Sequence, residues 1–401
     1  MSLPARSPHA SRWALDDDVV FLNHGSFGAC PGPVVAAQRA WQDRAERQPM
    51  QFFARDLPDL LGAARAHVAS LVRADPDGLA FVSNATEGVN AVLRSVPLRP
   101  GDAVLVTDQA YAACHHALVS TARAAGAEVH VAPLPFPVDH PERITESILG
   151  RVTPKTRLAL IDHVTSPTGL VLPVETLVPA LESRGVRVLV DGAHAPGMLP
   201  LALDDLAPSW YTANFHKWLC APRGAAMLWS REDVRALTRP VSLSHAASLP
   251  GDDPARYLAE FDWTGTRDFS PWLTLPTCTA FLGALHPDGL PGLQTRNHQL
   301  VLAGRDLLCR ALDIPPPAPD SMLGSLASVP LPPGRTPRAS PWAPDPLQRA
   351  LLDRWKVEVP VHAWPSPTER VLRISAQAYN SLDEFEYLAA ALPQALAAER
   401  D

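Results

Sequence analysis

The stretch Asn214-Phe215-His216-Lys217-Trp218-Leu219-Cys220-Ala221-Pro222-Arg223-Gly224 contains one of the three lysines in a chain of 401 residues. The chain has 35 lysines and arginines together, and the only other lysines are Lys155 and Lys356. An arginine side chain stays protonated, whereas a lysine amine can lose its proton and attack a carbonyl carbon. Lys155 and Lys356 lie in polar stretches and are predicted to be solvated. Lys217 is therefore the lysine for which the sequence predicts a chemical role.

A short motif upstream of Lys217 ends an apolar run with an acid. In Val190-Asp191-Gly192-Ala193-His194, Asp191 stands where a β-strand is expected to end. A lysine that forms a Schiff base and a carboxylate for the ring nitrogen are the groups that pyridoxal phosphate needs from a protein. We therefore interpret Lys217 and Asp191 as part of a pyridoxal 5'-phosphate site. Contact with a protonated ring nitrogen is expected to lower the pKa of Asp191.

Short apolar runs alternate with helical stretches between about residues 78 and 230. This alternation is typical of an α/β architecture, in which a mostly parallel sheet carries helices on both faces. The predicted strands are Leu79–Val82, Ala103–Val106, Val129–Val131, Leu158–Ile161, Val186–Val190 and Ala225–Trp229. Ligands bind such sheets beyond the carboxyl ends of the strands.

Polar groups follow four of these predicted strands. They lie at Asn84–Thr86, Asp108–Tyr111, His163–Gly169 and Asp191–His194. The segment Asn84-Ala85-Thr86 also opens a helix, so its backbone N–H groups and the Thr86 hydroxyl are candidates to bind a phosphate. An ordinary helix N-cap at Asn84 explains the same residues when they are taken alone.

The length of 401 residues and the 46% hydrophobic content predict two domains. We place a large cofactor-binding domain at residues 15–270 and a small α+β domain at residues 271–401, with residues 1–14 packed near the small domain. The proline-dense stretch Asp313–Pro346 is predicted to hold neither helix nor strand. The elements predicted after it are a helix at Leu347–Arg354, strands at Val357–Val361 and Val371–Ser375, and a helix at Ser381–Glu399 that begins with a capping box.

The net charge of −7 without a basic block argues against a nucleic acid partner. No apolar run approaches the roughly 18 residues that span a bilayer, and the first 12 residues lack the apolar stretch of a signal peptide. We therefore expect a cytoplasmic protein with no membrane partner. The five cysteines form no CxxC pair, which predicts reduced thiols, no disulfide framework and no metal site.

Six motifs occur together in one order along the chain, and they resemble the class V aminotransferase family. Within that family they are most similar to the isopenicillin N epimerase-like branch, and the resemblance extends from Phe21 to Asn380. It implies pyridoxal phosphate fold type I. The motifs are Leu22-Asn23-His24-Gly25-Ser26-Phe27-Gly28, Asn84-Ala85-Thr86-Glu87-Gly88-Val89-Asn90, Ser166-Pro167-Thr168-Gly169, Asp191-Gly192-Ala193-His194, Asn214-Phe215-His216-Lys217-Trp218 and Arg373-Ile374-Ser375.

The resemblance implies a role for each matching position. Lys217 corresponds to the catalytic Schiff base lysine and Asp191 to the partner of the ring nitrogen. Tyr111 corresponds to an aromatic residue stacked on the ring, and His194 to a contact of the ring oxygen. The implied phosphate ligands are Ala85, Thr86, Asn214 and His216.

The resemblance also implies contacts to the substrate and to a second subunit. Arg373 corresponds to the arginine that binds the substrate carboxylate through a bidentate pair. The implied substrate contacts also include Asn23, His24 and Ser166, although related desulfurases often have Asn at the last position. Thr266, in Trp263-Thr264-Gly265-Thr266, corresponds to a segment that reaches the partner's phosphate, so the resemblance implies a homodimer with shared active sites.

The sequence leaves the reaction open. Removal of the α-proton of an amino acid by Lys217 can lead to epimerisation, to carbon–sulfur cleavage in cysteine or a cysteine conjugate, or to transamination. Asp313–Pro346 contains no Cys, which disfavours a cysteine desulfurase. Epimerisation needs a second proton donor, for which the candidates are His24, Tyr111, His115 and His116. We favour an epimerase or a lyase over a cofactor-binding dimer without turnover, because a non-catalytic protein has no need of Lys217, Asp191 and Arg373 together.

Overall fold

The computed structural model describes residues 2–335, 340 and 343–399. The strands are β1 (Val20–Phe21), β2 (Leu79–Val82), β3 (Ala103–Thr107), β4 (Glu128–Ala132), β5 (Thr156–Asp162), β6 (Arg187–Asp191), β7 (Trp210–Asn214), β8 (Ala226–Ser230), β9 (Leu326–Leu331), β10 (Val357–Glu358), β11 (Val361–Ala363) and β12 (Arg370–Ser375). The helices are α1 (His24–Phe27), α2 (Gly32–Arg47), α3 (Pro49–Gln51), α4 (Leu57–Val72), α5 (Ala85–Ser95), α6 (Ala112–Ala125), α7 (Glu142–Leu149), α8 (Val174–Glu182), α9 (Leu203–Leu206), α10 (Glu232–Arg235), α11 (Arg256–Asp262), α12 (Ser270–Leu273), α13 (Leu275–Gly283), α14 (Gly289–Leu312), α15 (Pro346–Trp355) and α16 (Leu382–Ala398).

A seven-stranded sheet forms the centre of the large α/β unit, in the order β2-β8-β7-β6-β5-β3-β4. β8 runs opposite to the other six strands of this sheet, so the sheet is mostly parallel as predicted. Successive residues of β3 enter different cores: Leu105 joins one apolar cluster, and Val104 and Val106 join the other. Helices therefore cover both faces of the sheet, which confirms the α/β/α prediction.

The strand β7 leads directly into the lysine motif, although it was not among the predicted strands. All five of its residues are buried, and the sequence Trp-Tyr-Thr-Ala-Asn does not alternate between apolar and polar residues. A strand that is covered on both faces has no reason to alternate, so periodicity does not reveal it. β7 pairs in parallel with β6, and this pairing brings Asp191 next to Thr212.

A three-stranded antiparallel sheet, in the order β11-β12-β9, forms the centre of the C-terminal region. The prediction that Asp313–Pro346 contains no strand was wrong, because β9 lies inside it. Within the described residues β9 pairs with β12 alone, so Pro330 occupies an edge strand where its missing N–H group is tolerated. Residues 336–339, 341 and 342 of this stretch lie outside the described residues.

The strand predicted at Val357–Val361 is divided into β10 and β11. The carbonyl oxygen of Pro360, between the two, accepts a hydrogen bond from the backbone N–H of Arg373. The predicted helix after Ser381 is confirmed as α16, and its capping box with Glu384 is present. The pairing of β11, β12 and β9 fixes the backbone that carries Arg373.

The N-terminal segment runs along the C-terminal region. β1 pairs in parallel with β10, and the Ser381 hydroxyl donates a hydrogen bond to the carbonyl oxygen of Ala5. The indole ring of Trp13 packs edge-on against Tyr379, with ring centroids 5.2 Å apart. We retain the domain boundary near residue 270 as a proposal.

Candidate active site

A cavity of about 540 Å³ lies at the carboxyl ends of the central strands. Ten of the predicted site residues line it, from both the large sheet and the C-terminal sheet. These are Ala85, Thr86, Tyr111, Ser166, Asp191, His194, Asn214, His216, Lys217 and Arg373.

The loop after β7 holds Lys217 between two close backbone contacts. Gly28 has a φ of +68°, and a Cβ atom there would lie 2.5 Å from the carbonyl oxygen of His216. Gly197 has a φ of +86°, and a Cβ there would lie 2.5 Å from the carbonyl carbon of Trp218. Larger residues at these two positions would displace the loop. The lysine backbone is thus fixed by packing on both sides.

The amine of Lys217 lies in a protected and partly charged environment. Its Nζ atom is 3.1 Å from Nε2 of His194. Burial lowers the pKa of Lys217 to about 8, while the nearby Asp191 carboxylate partly opposes this shift. A larger fraction of the amine is therefore neutral at pH 7 than for a surface lysine, and only the neutral amine can act as a nucleophile or base.

His194 is held in one tautomer by its neighbour Trp218. The indole Nε1–H of Trp218 donates to Nδ1 of His194 at 3.2 Å, so the neutral imidazole carries its proton on Nε2. Burial, followed by the charges of Lys217 and Arg373, places the pKa of His194 well below its usual value. His194 is therefore neutral, and its Nε2–H can donate to the Lys217 amine only when that amine is neutral, because an ammonium group has no acceptor.

Two carboxyl groups lie side by side at the ends of β5 and β6. Asp191 accepts the backbone N–H of Ala193 at 3.0 Å and the thiol of Cys114 at 3.4 Å. Burial raises the pKa of Asp191 in the protein alone. The expected lowering concerned contact with a ring nitrogen and stays a prediction. Asp162, the register partner of Asp191, also lines the cavity. It ends an apolar run as Asp191 does, so the same sequence signal marks both positions.

The start of α5 provides the predicted phosphate end of the cavity. The Asn84 side chain caps the helix by accepting the N–H of Glu87 at 2.8 Å. Asn214 accepts the N–H of Ala85 at 2.8 Å, which ties β7 to the first turn of the helix. The N-cap and the predicted anion site are thus the same structure. Burial lowers the pKa of His216 to about 4, so this side chain is a neutral partner at the same end.

Arg373 is a buried cation on the wall formed by the C-terminal sheet. It donates one hydrogen bond to the backbone carbonyl of Ser166 and another to the Ser26 hydroxyl at 3.1 Å. Burial lowers the pKa of Arg373 to about 10, which leaves the guanidinium charged at neutral pH. Position 166 contacts Arg373 through its backbone, so this contact does not depend on whether the residue is Ser or Asn.

Asn23, His24 and Thr266 do not line the cavity in the described structure. The contacts of His24 are with the protein interior and not with the cavity where a substrate was expected to bind. Its ring is fully buried behind the lysine loop. Its Nε2 lies 2.9 Å from the carbonyl oxygen of Lys217, and its Nδ1 lies 2.8 Å from the Tyr379 hydroxyl. Burial lowers the pKa of His24 to about 4.

The other two residues also lie elsewhere. Asn23 donates to the Glu358 carboxylate at 3.0 Å and accepts the hydroxyl of Ser26. It therefore supports the wall next to the cavity. Thr266 is exposed in the single chain. The segment Gly25–Phe27 lines the cavity in place of its neighbours Asn23 and His24.

His362, which the sequence analysis did not single out, lines the cavity on β11. It pairs with Val371 of β12, so its side chain projects from the same face as Arg373, two residues further along. The proton donor candidates His115 and His116 do not line the cavity in the described part of the chain. A lone histidine in a short strand gives no sequence signal for such a role.

The residues of this cavity fit pyridoxal phosphate. A lysine amine, a buried carboxylate at a strand end and a helix N-terminus surround one space. In addition, Oδ2 of Asp162 is buried without a hydrogen-bond partner in the described structure. A buried polar atom of this kind indicates that a ligand belongs in the cavity.

The comparisons with known proteins agree with this geometry. Residues 39–247 match the family model Aminotransferase class-V. Isopenicillin N epimerase of Amycolatopsis lactamdurans is 36% identical over 406 residues, covering 96% of this chain and 99% of that protein. A probable chloroplastic L-cysteine desulfhydrase of Arabidopsis thaliana is 30% identical, covering 93% of this chain and 82% of that protein.

Solved structures share the fold. The cysteine desulfurase CsdA of Escherichia coli has a TM-score of 0.73 at 19% identity, covering 97% of this chain and 98% of that chain. A C-DES variant with glycine covalently linked to its PLP cofactor has a TM-score of 0.77 at 20% identity, covering 96% and 99%. The fold is therefore that of fold type I enzymes, as the sequence predicted.

The chain belongs to the class V aminotransferase family. It is an enzyme, and its cofactor is pyridoxal 5'-phosphate. No described helix is long and apolar enough to cross a membrane. All five cysteines are free, and four of them are buried.

Proposed function

We propose that this enzyme removes the α-proton of an amino acid and returns a proton to the opposite face, as an amino-acid epimerase. The observation that carries the proposal is the placement of a lysine amine with a lowered pKa and a buried arginine in one cavity. The full-length similarity to isopenicillin N epimerases, at 36% and 33% identity, supports this reaction over the other outcomes of α-proton removal.

Each residue has a part in this proposal. Arg373 binds the α-carboxylate of the substrate, and Lys217 takes the α-proton as the general base. Asp191 holds the ring nitrogen, and His194 donates a hydrogen bond from Nε2. Bound pyridoxal phosphate supplies an electron sink for the pair of electrons left on the α-carbon. Ala85, Thr86, Asn214 and His216 hold the phosphate.

The second proton of an epimerase must come from a group other than Lys217. Among the candidates from the sequence, only Tyr111 lines the described cavity, and His362 is a further candidate from the structure. Tyr111 is the N-cap residue that precedes α6, and it is 49% exposed. Burial raises the pKa of the Tyr111 hydroxyl, which keeps it protonated and able to donate at neutral pH. We propose one of these two as the donor.

A carbon–sulfur lyase is the second candidate. L-Cysteine desulfhydrases from Arabidopsis thaliana and Oryza sativa match this chain at 30% to 32% identity. In this reaction Lys217 again takes the α-proton, and the electron pair expels the sulfur from the β-carbon. No second donor on the opposite face is required.

We further propose a homodimer that works in the cytoplasm. Phe27 lies at the cavity with 73% of its surface exposed, and Thr266 is exposed as well. A partner subunit that supplies Thr266 to the phosphate would cover such surfaces. Sedimentation of the purified protein at micromolar concentration tests this, since a monomer with full activity would contradict shared sites.

The reaction is tested with a panel of L-amino acids in deuterated water. Epimerisation gives deuterium at the α-carbon with both configurations. Pyruvate with a sulfur product would instead establish the lyase, and a keto acid with pyridoxamine phosphate would establish an aminotransferase. Protein that takes up no pyridoxal phosphate and shows no visible absorption would overturn the assignment of the site.

A further inference from the structure

The buried carboxyl group of Asp162 has no role in the mechanism above, although Asp162 lines the cavity. It is the last residue of β5, and the parallel pairing of β5 with β6 places it directly beside Asp191. Register partners in neighbouring strands point their side chains to the same face of the sheet. Both residues are only 3% exposed. The structure therefore brings two carboxyl groups together where a single one suffices for the ring nitrogen.

The contacts of the two carboxyl groups differ. Asp191 accepts hydrogen bonds from the backbone N–H of Ala193 and the thiol of Cys114. The Asp162 carboxyl interacts with the backbone N–H groups of Tyr111 and of its own residue, while Oδ2 is buried and has no partner in the described structure. An ionised oxygen without a donor is costly in such a place. A protonated oxygen needs only an acceptor, which a ligand or the neighbouring carboxylate can provide.

The charges around Asp162 also favour one negative charge for the pair. The groups that face it are Asp191 from β6, Cys114 and Tyr111 from the start of α6, and Lys217 from the lysine loop. Lys217 is the only cation among them, and its charge also stabilises the ionised form of Asp191. Burial and, after it, the charge of Asp191 place the pKa of Asp162 well above its usual value. Adjacent buried carboxyl groups titrate as a pair that retains one proton.

We propose that Asp162 is a positioning residue for Asp191: it carries the proton of this side-by-side pair, so that the single negative charge rests on the carboxylate that holds the ring nitrogen. Asp162 is thus a neutral hydrogen-bonding group at the ring edge of the cofactor site. This role belongs to cofactor binding and does not depend on whether the enzyme is an epimerase or a lyase.

Infrared spectroscopy of the holoenzyme at pH 7 tests the proposal directly. The wild-type protein is expected to show the carbonyl stretch of a protonated carboxyl group. The change Asp162→Asn removes this band, whereas the control change Asp205→Asn, at a carboxylate 69% exposed and paired with Arg73, leaves it in place. A spectrum of the Asp162→Asn protein that retains the whole band would overturn the proposal.

Cofactor affinity gives a second readout that needs no turnover. Asn has the shape of a neutral Asp, so Asp162→Asn is expected to bind pyridoxal phosphate within about threefold of wild type, with an unchanged visible band. A loss of tenfold or more at pH 7 would show that the ionised form of Asp162 is required. Asp162→Ser, also neutral and hydrogen-bonding, provides the same comparison if the Asn variant does not fold.

The thermal stability of the apoprotein should depend on pH through Asp162. When folding raises the pKa of a carboxyl group, the protonated group stabilises the folded protein. This contribution to the free energy of unfolding is complete at pH values below the unfolded pKa and is lost as the pH rises through the folded pKa. The wild-type midpoint of thermal unfolding is therefore expected to fall more steeply above about pH 4 than that of Asp162→Asn. Parallel pH profiles for the two proteins would count against a proton on Asp162.

Discussion

The wall of the cavity formed by the seven-stranded sheet presents Lys217, Asp191 and His194, whereas the other wall presents Arg373 and His362 from the three-stranded sheet. On the first wall burial shifts the pKa of every one of these groups. On the second wall burial also lowers the pKa of Arg373, to about 10, but the guanidinium still keeps its charge at neutral pH. The first wall is suited to moving protons near the cofactor, and the second to holding a carboxylate. Under the proposed function, the large sheet provides most of the cofactor contacts, and the three-stranded sheet provides the arginine for the substrate carboxylate.

The largest effect is expected from Lys217→Ala, which removes the amine from the wall formed by the seven-stranded sheet. The turnover of any substrate should fall by roughly 10²–10⁴-fold, because the general base is lost. The visible absorption of the cofactor-loaded protein should disappear as well. Spectra recorded after addition of pyridoxal phosphate check this, with the exposed Lys155→Ala as the matched control. Normal absorption in the Lys217 variant would assign the cofactor lysine elsewhere.

The source of the second proton can be tested at its two candidate donors, Tyr111 and His362. Tyr111→Phe or His362→Gln should lower epimerisation by roughly 10²-fold if that residue is the donor. The same variant should still exchange the α-hydrogen with deuterium and retain configuration, because Lys217 is intact. Proton NMR combined with chiral chromatography measures both rates. Equal loss of exchange and epimerisation in both variants would contradict a donor at either position.

Truncation of the Arg373 side chain should weaken the use of substrate and leave cofactor binding nearly unchanged. Arg373→Ala is expected to lower kcat/KM by roughly 10- to 100-fold, since a charge-assisted hydrogen bond is lost. Cofactor affinity should stay within a few-fold of wild type. Arg373→Lys keeps the positive charge but loses the bidentate geometry of the guanidinium. Its kcat/KM should therefore lie between that of the wild type and that of the Ala variant. An unchanged kcat/KM in the Ala variant would remove Arg373 from the substrate site.

The pKa of Lys217 predicts how the apoenzyme captures the aldehyde of the cofactor. Only the neutral amine reacts, so the rate should rise about tenfold from pH 6 to pH 7 and level off above about pH 8. An unperturbed lysine would continue to gain rate up to about pH 10. Stopped-flow absorbance over this range measures the profile. A continued rise above pH 9 would show that burial does not lower the pKa of the amine.

The smallest effect concerns the tautomer of His194. Trp218→Phe preserves the aromatic packing but removes the N–H that donates to Nδ1. We expect kcat to fall by only about three- to tenfold, with a shift in the pH dependence of the visible band, because one neutral hydrogen bond is lost. Trp272→Phe, at a buried tryptophan that donates to the backbone at Ala226, is the control for packing. Equal effects in both variants would indicate packing alone.

Much of the large sheet could be predicted because each strand and the polar group that follows it are adjacent in the sequence. The six predicted strands are present, and ten predicted site residues lie around one cavity. The strand β7 was missed because a strand covered on both faces does not alternate. β9 was excluded because of its proline, although the edge of a sheet tolerates one.

Neighbouring residues in one motif can also face different ways, which sequence spacing does not reveal. In the segment from Asn23 to Phe27, Ser26 reaches Arg373 while the ring of His24 turns away and supports the backbone of Lys217. Asp162 and His362 enter the cavity only because their strands pair with β6 and β12. Pairing between distant segments depends on packing over the whole molecule.

The motifs alone indicated the family and the cofactor, because a cofactor requires fixed groups at strand ends and helix starts. Ten of the thirteen predicted site residues line the cavity in the described structure, whereas Asn23, His24 and Thr266 do not. Which side chains share the cavity, and which of them carry protons, depends on how the whole chain folds. The placement of Asp162 beside Asp191 and the lowered pKa of Lys217 arise from burial among residues distant in sequence. Burial changes the energy of a charge, and only the folded chain sets how deeply each charge is buried.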